Sequence, residues 1–408
     1  MPIVAAILAV MTMLPVSCRK QGPEEVPVIL QLRTPAARDS KQQHINVEAE
    51  SSWTLSISYP EGNGSGWAKV EPNRGTGQAD VTLSYGINDA NDARTCIITL
   101  VCAGYASEYR FTQSGKISDG GTASGSALDI TPVSVAPVSW LELPETKAGD
   151  GMDFVAHAMT TQAGVKTRNF SYYFNYDDRV AFWVAYPMNA SIRGGSTYGR
   201  SEAWGYDPFM ESALQQDVSG GYREGNNGWY ARGHQIPSNH RQGPTIDNEN
   251  NKPTFYGTNM TPQNNNFNGG TWANLENKIY NAWTPSLDRD TLFCVTGCVT
   301  KNAKYYVYDR SGHQVTVPTA YFKACLRYSS IKGVGIDGYM AAGFWFDHEE
   351  WSAEGKSNVK YTRDWAISID ELEKKLGYKL FAALESRVGA DKAAQIKTQD
   401  PKTVEWWR

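Results

Sequence analysis

The stretches NGWYARGHQIPSNHR, residues Asn227 to Arg241, and FYGTNMTPQNNNFNGGTWANLE, residues Phe255 to Glu276, decide the fold expected of this chain. Three of their side chains can do chemistry together: His234, Asn268 and Glu276. A histidine whose pKa is near 6.5 accepts a proton at neutral pH, and amide and carboxylate oxygens are ligands that Mg²⁺ takes. Because Glu276 follows Asn268 by about two helical turns, both can point to one side if the helix starts early. The pattern indicates a site in which water is activated beside a divalent cation.

A longer pattern in the same stretches carries a family resemblance. Its residues are Arg232-Gly233-His234-Gln235-x-Pro237, Asn259-x-x-Pro262-Gln263, Asn268-x-Gly270-x-Trp272 and Leu275-Glu276. This pattern resembles the DNA/RNA non-specific endonucleases of the ββα-metal fold, and the joint spacing of two segments is far more specific than either segment alone. The resemblance implies an α+β domain over residues 130–408 that hydrolyses DNA or RNA with bound Mg²⁺, for which Mn²⁺ is an alternative.

The resemblance assigns a role to each central side chain. It implies that His234 is the general base, that Asn268 is the sole direct protein ligand of the metal, and that Glu276 holds metal-bound water. Each residue also has a structural alternative. His234 can be a buried structural histidine, Asn268 an N-cap or turn asparagine in a loop rich in Asn and Gly, and Glu276 a solvated helix residue.

Four further residues complete the predicted site. The resemblance places Arg200 where a family arginine binds the phosphate and offsets transition-state charge, a task that suits a guanidinium. Arg193 is a competing candidate, because this loop differs in length from the family pattern. Arg232 is expected to have a structural or phosphate-positioning role. Asn259 and Gln263 match positions that bind the substrate or orient the active-site loop.

Two positions depart from the family pattern. Ala231 stands where the family usually has aspartate before Arg-Gly-His, and Tyr280 stands where it has a helix arginine. We expect reduced or retuned activity, with Lys278 or Arg241 as candidates to replace the lost positive charge. His240 invites the alternative of a second histidine on the metal, but its position predicts the loop that leaves the strand.

The first part of the chain has a different pattern. Residues 28–115 alternate apolar and polar residues between clusters of Gly, Asn and Asp, which predicts a small β-sandwich. Residues 116–129 have the Gly/Ser composition of a linker. The sandwich resembles the BACON family of immunoglobulin-like modules, and its aromatic residues are expected to pack in the core rather than to bind sugar. The residues that carry this resemblance are Trp53, Trp67, Pro72 to Gly77, Arg94 and Gln113.

Periodicity in the C-terminal part predicts both kinds of secondary structure. Helical patterns run from Thr271 to Trp283 and from Ile369 to Ser386, the second with a capping box at Ser368 and Glu371. Strand-like runs are Val180 to Tyr186, Thr291 to Thr300, Tyr305 to Tyr308 and Ala342 to Phe346. The fold class expected is therefore an N-terminal all-β sandwich followed by an α+β domain.

The amino-terminal residues suggest export. Residues 1–17 form an apolar run that ends in small residues before Cys18, which is typical of a lipoprotein signal whose cysteine carries lipid. Residues 18–27 would then tether the protein to the bacterial cell envelope. An ordinary secretory signal and a membrane helix are the alternatives, although the run is short for a membrane span. The remaining cysteines lack zinc-like spacing, and the sequence does not identify a disulfide pair.

Composition limits the mode of nucleic-acid binding. The net charge is −4, with 41% hydrophobic and 20% charged residues, which is ordinary for a globular protein. Proteins that hold nucleic acid by bulk electrostatics usually carry a basic face, so any contact with phosphate must be local. Two other functions stay open: a phosphodiesterase acting on nucleotides or other small phosphodiesters, and a non-enzymatic surface glycan binder.

Overall fold

The computed structural model describes most of the chain from Val28 to Val404. The described residues are 28–30, 32, 36–49, 51–102, 105–115, 140–145, 152–161, 166–193, 199–210, 212–226, 228–242, 249–287, 289–348 and 363–404. The predicted signal peptide, the predicted lipidation site Cys18, the predicted tether and the predicted linker at 116–129 lie outside them. Among the residues that are described, no helix is long and apolar enough to cross a membrane.

Two antiparallel sheets make up the N-terminal region. One has the strand order β1-β2-β6-β4 and the other β5-β3-β7-β8. Along β3, Trp53 and Leu55 are buried and alternate with exposed residues, the period-two pattern expected of a strand with one face on a core. The strands are β1 (Val28–Leu30), β2 (Gln42–Glu48), β3 (Ser52–Ser58), β4 (Lys69–Glu71), β5 (Arg74–Thr76), β6 (Ala79–Ser84), β7 (Arg94–Cys102) and β8 (Tyr105–Gln113).

The residues singled out in the N-terminal sequence pack together. The Nε of Arg94 donates to Oε1 of Gln113 over 2.9 Å, and its guanidinium lies 4.3 Å from the centre of the Trp67 ring. The Gln113 amide donates to the backbone oxygens of Arg38, Ser40 and Gly86. The arginine and the glutamine therefore tie the last strand to two loops, and one face of the Trp67 indole is covered.

A seven-stranded antiparallel sheet forms the centre of the C-terminal region. Its order is β19-β18-β17-β14-β11-β10-β9, and two hairpins, β12-β13 and β15-β16, lie outside it. The strands are β9 (Met152–Thr160), β10 (Lys166–Asn175), β11 (Val180–Met188), β12 (Ala231–His234), β13 (Met260–Gln263), β14 (Thr291–Val299), β15 (Tyr306–Tyr308), β16 (Gln314–Thr316), β17 (Ala320–Tyr328), β18 (Tyr339–Asp347) and β19 (Ala366–Ile367).

The helices of this region are short. The α-helices are α1 (Ala190–Arg193), α2 (Asn265–Phe267), α3 (Ala273–Lys278), α4 (Ile369–Leu376), α5 (Leu384–Val388) and α6 (Ala390–Thr398). Segment Asn268–Trp272 lies between α2 and α3 and has a non-helical backbone at Gly270, which kinks the stretch, and the π-helical segment Ile279–Trp283 extends α3. Single 3-10 turns lie at Ser212–Leu214, Ser238–Arg241, Lys252–Phe255, Gly257–Asn259, Arg363–Trp365 and Pro401–Thr403. The predicted α+β class is confirmed.

Both faces of the central sheet are buried. On one face the stretch from α2 onward packs Trp272, Leu275 and Trp283 against strand residues, and on the other α4 to α6 contribute Leu372 and Ile396. All five side chains are fully enclosed, and burial of one such residue stabilises the fold by roughly 1.5–3 kcal/mol. The arrangement is a helix–sheet–helix sandwich, which presents the helical stretch with Asn268 and Glu276 over one face of a rigid sheet.

Of the two predicted helices, the second needs correction at its boundaries. The pattern from Ile369 to Ser386 is not one helix, because α4 ends at Gly377, whose φ of 79° is left-handed and suits a residue without Cβ. The capping interaction at its start is confirmed, since the Ser368 side chain accepts from the Glu371 backbone. The predicted helix from Thr271 to Trp283 agrees with the structure, because the backbone is non-helical at Gly270 and the helical segment ends at Trp283; the short α2 before the kink is capped by Asn264.

The described cysteines form no disulfide. Cys96 and Cys102 lie near the two ends of β7 and pair with residues of neighbouring strands. Cys294 stands directly opposite Cys325 on β14 and β17. All five described thiols are buried, which agrees with their use as small core side chains.

Candidate active site

The hairpin of β12 and β13 positions the first catalytic candidate. His234 is the last residue of β12 and pairs with Met260, while Gly233 pairs with Thr261. A Cβ at position 233 would lie 2.4 Å from the Oε1 of Gln263, so only glycine fits between the histidine strand and that buried amide. Packing between β12 and β13 thus requires the glycine that precedes His234.

Asn259 holds the chain that follows His234. Its Oδ1 accepts from the Ile236 backbone over 2.9 Å, and its Nδ2 donates to the backbone oxygens of Ile236 and Thr254. Asn259 and Gln263 are both fully buried, and neither is among the residues that line the cavity described below. The prediction that they bind substrate directly is therefore corrected: Asn259 orients the loop, and Gln263 packs beneath Gly233.

The helical stretch presents the second group of candidates. Asn264 caps its start by accepting from the backbone of Asn266 and Phe267. Asn268 is therefore not the N-cap, and its backbone already donates to the Asn264 oxygen over 2.8 Å. Within the described residues, the Asn268 side chain has no hydrogen-bond partner in the protein. Its amide oxygen remains available for a ligand.

One cavity of about 500 Å³ brings the predicted residues together. Its wall joins the histidine hairpin to the helical stretch and to the segment around residue 200. Five predicted site residues lie in it, together with polar residues that the sequence did not single out. The lining residues are Arg200, Trp204, Arg232, His234, Pro237, Ser238, Asn239, Gln242, Asn268, Ala273, Glu276 and Asn277. Bases, amides, cations and a carboxylate therefore face one space.

Aromatic rings and nearby cations set the state of His234. Its ring lies edge-on between Phe255, at 5.2 Å between ring centres, and Trp204, at 5.7 Å. The Nε2 atom is enclosed and has no hydrogen-bond partner, which leaves Nδ1 as the nitrogen that can face the cavity. Burial, followed by the positive charges of Arg200 and Arg232, lowers the pKa of His234 to about 3. The ring is thus neutral at pH 7 and can accept a proton.

This environment makes a direct prediction for the metal-free protein. Because the protonated ring is disfavoured by burial and by two cations, we expect His234 to stay neutral as the pH falls through 6.5 and down to below about 5. NMR titration of histidine ring signals, with the His234 signal assigned from its loss in His234→Asn, measures this. In Arg200→Ala the pKa should move upward. A wild-type midpoint near 6.5 would contradict the buried, cation-flanked environment.

The segment with Arg200 is ordered by a carboxylate. Glu202 accepts from Nε of Arg200 and from Nε1 of Trp204, each over 2.7 Å. The Arg232 guanidinium lies 3.6 Å from the centre of the Trp204 ring and donates to the Val218 oxygen. Within the described residues, the two Nη groups of Arg200 have no protein partner. The two guanidiniums are therefore held at the cavity wall, with donors of Arg200 left over for an anion.

The structure decides between the alternative cations. Arg193 lies outside the set of described residues that line the cavity, and its guanidinium stacks 4.6 Å over Tyr280. Arg241 is fully buried and bonds to Asn169, so it cannot replace the lost charge at the cavity. Lys278 is exposed and is likewise not a lining residue. Of the two candidates Arg200 and Arg193, the fold brings Arg200 to the cavity.

His240 lies in the 3-10 turn after β12 and does not reach the cavity. It is fully buried, its Nε2 is 3.1 Å from the backbone oxygen of Glu276, and its ring stacks on Tyr280. Burial, followed by the charge of Lys323, lowers the pKa of His240, so the ring is neutral. His240 therefore supports the helix beneath Glu276, which agrees with the prediction that it is not a metal ligand.

Glu276 is held by a lysine that sequence analysis missed. Its Oε1 is enclosed and lies 4.0 Å from Nζ of Lys323, while its side chain is 14% exposed at the cavity. Burial raises the pKa of Glu276 to about 7, against the opposing effects of Lys323 and Trp272. Lys323 is a single lysine inside the apolar run AYFKACLRY of β17. That break in the pattern was the available signal.

The oxygen donors of the site fit a hard cation. No cluster of three or more His, Cys, Asp or Glu side chains that could hold a metal occurs among the described residues. The cavity offers instead the amide oxygen of Asn268 and the carboxylate of Glu276, beside the further side-chain amides of Asn239, Gln242 and Asn277. Mg²⁺ commonly takes one or two such ligands and keeps several of its waters. Asn268 and Glu276 would therefore hold Mg²⁺ weakly and with much of its hydration shell.

Comparison with known proteins identifies the family of the C-terminal region. The model of the DNA/RNA non-specific endonuclease family matches residues 150–387, which is more than half of the chain and includes every residue that lines the cavity. A nuclease from Nostoc sp. strain PCC 7120 is 27% identical over 208 residues, which is 50% of this chain and 68% of that protein. Both matches are matches of amino-acid sequence.

Two solved structures overlap with parts of the fold. A chain of the EndoG/EndoGI complex is 16% identical, with a TM-score of 0.39, over 62% of this chain and 93% of that one. A Bacteroides ovatus GH5 xyloglucanase in complex with a XXXG heptasaccharide is 21% identical, with a TM-score of 0.19, over 22% of this chain and 19% of that one. Both TM-scores are low, so the assignment depends on the sequence matches. By the extent of the family match, the chain belongs to the DNA/RNA non-specific endonuclease family.

Proposed function

We propose that this protein is a metal-dependent endonuclease that hydrolyses phosphodiester bonds of DNA, RNA or both with little sequence preference. The observation that carries the proposal is the single cavity that joins His234, Asn268, Glu276, Arg200 and Arg232. Hydrolysis of a phosphodiester needs a base for the attacking water, compensation for the charge on the phosphate, and room for a bulky anion. The cavity wall offers His234 as the base and two arginines as compensating charges, and the cavity itself offers the room.

His234 is the proposed general base. Its neutral ring accepts the proton of the attacking water at Nδ1, the nitrogen left facing the cavity when Nε2 is enclosed. The low pKa of the free site keeps the ring in this basic form. A substrate phosphate bound near Arg200 and Arg232 would offset their charges and raise the pKa of the ring, which makes it a stronger base when the substrate is in place.

Asn268 and Glu276 are the proposed metal ligands, Asn268 directly and Glu276 through water. When bound, Mg²⁺ would stabilise the negative charge that develops on the phosphate and on the leaving oxygen. The amide of Asn268 is neutral and the carboxylate of Glu276 is partly compensated by Lys323. The weak binding that this donor set implies agrees with a metal that exchanges freely with solution.

Arg200 and Arg232 are the proposed phosphate contacts. Guanidinium groups match phosphate oxygens with paired N–H donors, and Arg200 keeps both Nη groups available beside its bond to Glu202. Apart from the two arginines, the proposed base His234 and the carboxylate of Glu276, the polar side chains that line the cavity, Ser238, Asn239 and Gln242 among them, are neutral. Contacts to phosphate carry no sequence information, so a site of this composition favours cleavage with little sequence preference.

The experiment that tests the function is a cleavage assay on supercoiled plasmid, single-stranded DNA, RNA and a small nucleotide diester. We expect cleavage of the polymers. The value of kcat/KM on polymer should fall as salt rises. A protein that contacts several phosphates of a polymer displaces the counterions of those phosphates on binding. Cleavage of the small diester alone, without salt dependence, would favour the phosphodiesterase alternative. No hydrolysis of any substrate with Mg²⁺ or Mn²⁺ would reject the enzyme.

We also infer the protein's location from its first residues. The apolar run at 1–17 before Cys18 supports export and a lipid anchor in the bacterial cell envelope, and residues 28–115 support a BACON-type module between anchor and enzyme. Extracellular nucleic acid is then the substrate within reach. The mass of the amino-terminal peptide from membrane-bound protein distinguishes a lipidated Cys18 from a cleaved secretory signal and from a retained membrane helix.

A further inference from the structure

A buried lysine lies directly behind the site. Lys323 stands in the middle of β17, its side chain is 1% exposed, and it is not among the described residues that line the cavity. Lysine is almost never fully buried unless it is paired, because removing an ammonium group from water is costly. A buried lysine between the apolar residues Phe322 and Ala324 of a central strand therefore requires an explanation from its contacts.

Four groups surround the Lys323 amino group. Its Nζ donates to Oγ1 of Thr296 over 3.1 Å and to the Gln235 backbone oxygen over 3.4 Å. It also lies 4.0 Å from the centre of the Trp272 ring and 4.0 Å from Oε1 of Glu276. Gln235 follows His234, and Trp272 and Glu276 share the helical stretch with Asn268. Every contact except Thr296 belongs to a segment that forms the cavity.

We propose that Lys323 is a positioning residue, the buried counter-ion that fixes the Glu276 carboxylate with Oε1 turned inward and the rest of the group presented to the cavity. Within the described part of the chain, the ion pairs of Lys323 are confined to Glu276. The consequence for catalysis depends on the proposed role of Glu276, whereas the pairing itself does not. Lys323 cannot touch the substrate, so any catalytic effect must pass through these neighbours.

The alternative is a lysine that matters only for packing. The two possibilities differ in what happens when one partner is removed. A charged group that loses its buried partner is left uncompensated and destabilises the fold, whereas a pair replaced as a whole by neutral groups of similar size is tolerated far better. If Lys323 only filled space, its replacement would lower the free energy of unfolding by the same amount whether or not Glu276 is charged.

A double-substitution cycle in EDTA tests the pairing without metal or substrate. The variants are Glu276→Gln, Lys323→Met and the two combined, and the measurement is the midpoint of urea unfolding with a thermal melt beside it. Loss of Lys323 should lower the melting temperature in the wild-type background and leave it equal or higher in the Glu276→Gln background. Equal losses in both backgrounds would overturn the proposal. If Lys323→Met alone does not fold, the comparison of Glu276→Gln with the double variant still decides.

The same cycle with Mg²⁺ and plasmid DNA tests the catalytic consequence. We expect Lys323→Met to lower kcat about tenfold or more with the KM for DNA unchanged, and to have no further effect in Glu276→Gln. Lys301→Met, an exposed lysine after β14, is the matched control and should leave both constants unchanged. A further tenfold loss in the Glu276→Gln background would mean that Lys323 acts elsewhere. If the wild-type protein were inactive, the nuclease proposal would fail while the unfolding cycle still decided the pairing.

Discussion

Replacing His234 by alanine is expected to lower kcat by at least about 100-fold, with a much smaller change in the KM for DNA. General bases contribute roughly 10²–10⁴-fold to rate, and the His234 ring is the neutral nitrogen base of the cavity among the described lining residues. The phosphate contacts proposed for Arg200 and Arg232 stay in place, so binding should persist. Initial rates on plasmid over a range of DNA concentrations separate the two constants.

Three controls give this result its meaning. His44→Ala, at an exposed position of β2, removes a histidine that does not line the cavity and should leave the rate unchanged. A thermal melt shows whether the alanine variant is folded, which we expect since its ring is only half enclosed. Added imidazole can enter a cavity of about 500 Å³ and should restore part of the lost rate. A folded variant that cuts at the wild-type rate would remove His234 from the mechanism.

The sequence was sufficient for the five predicted residues of the cavity but not for the other polar residues that line it. His234, Asn268 and Glu276 come from two stretches whose spacing is read along the chain, although the strands β12 and β13 that position His234 pair across the whole segment 235–259. The folded protein then brings Arg200 to the same wall. The sequence favoured Arg200 and left Arg193 as a competing candidate, and the lining of the cavity includes Arg200 and not Arg193.

The supporting residues were harder to predict for a physical reason. Asn259 and Gln263 share a motif with the catalytic residues, yet both side chains are buried in the fold. A sequence motif does not record whether a side chain points to the cavity or into the core. Lys323 acts on Glu276 across a separation in sequence that no local pattern spans. Gly377 ends α4 through a left-handed φ that hydrophobic periodicity does not record. These features arise from tertiary contacts.

Substitution of Asn268 by alanine is expected to abolish cleavage at Mg²⁺ concentrations that saturate the wild-type protein, just as EDTA should. The amide oxygen of Asn268 is the proposed direct protein contact to the metal, and a site with so few protein ligands has no second direct contact to compensate. Asn268→Asp keeps an oxygen in place and adds charge, so it should bind metal at least as tightly as wild type. Mn²⁺ binding followed by electron paramagnetic resonance measures affinity independently of activity.

A matched control for this prediction lies on the same helical stretch. Asn277 also lines the cavity and is exposed, so Asn277→Ala removes an amide of the same kind without removing the proposed ligand. We expect it to keep Mn²⁺ affinity and to lose at most a few-fold in rate. Equal loss of Mn²⁺ binding in both alanine variants would mean that the metal is held by the general polarity of the cavity. Full cleavage in EDTA, by contrast, would show that no metal takes part and that the donor geometry at Asn268 serves only the fold.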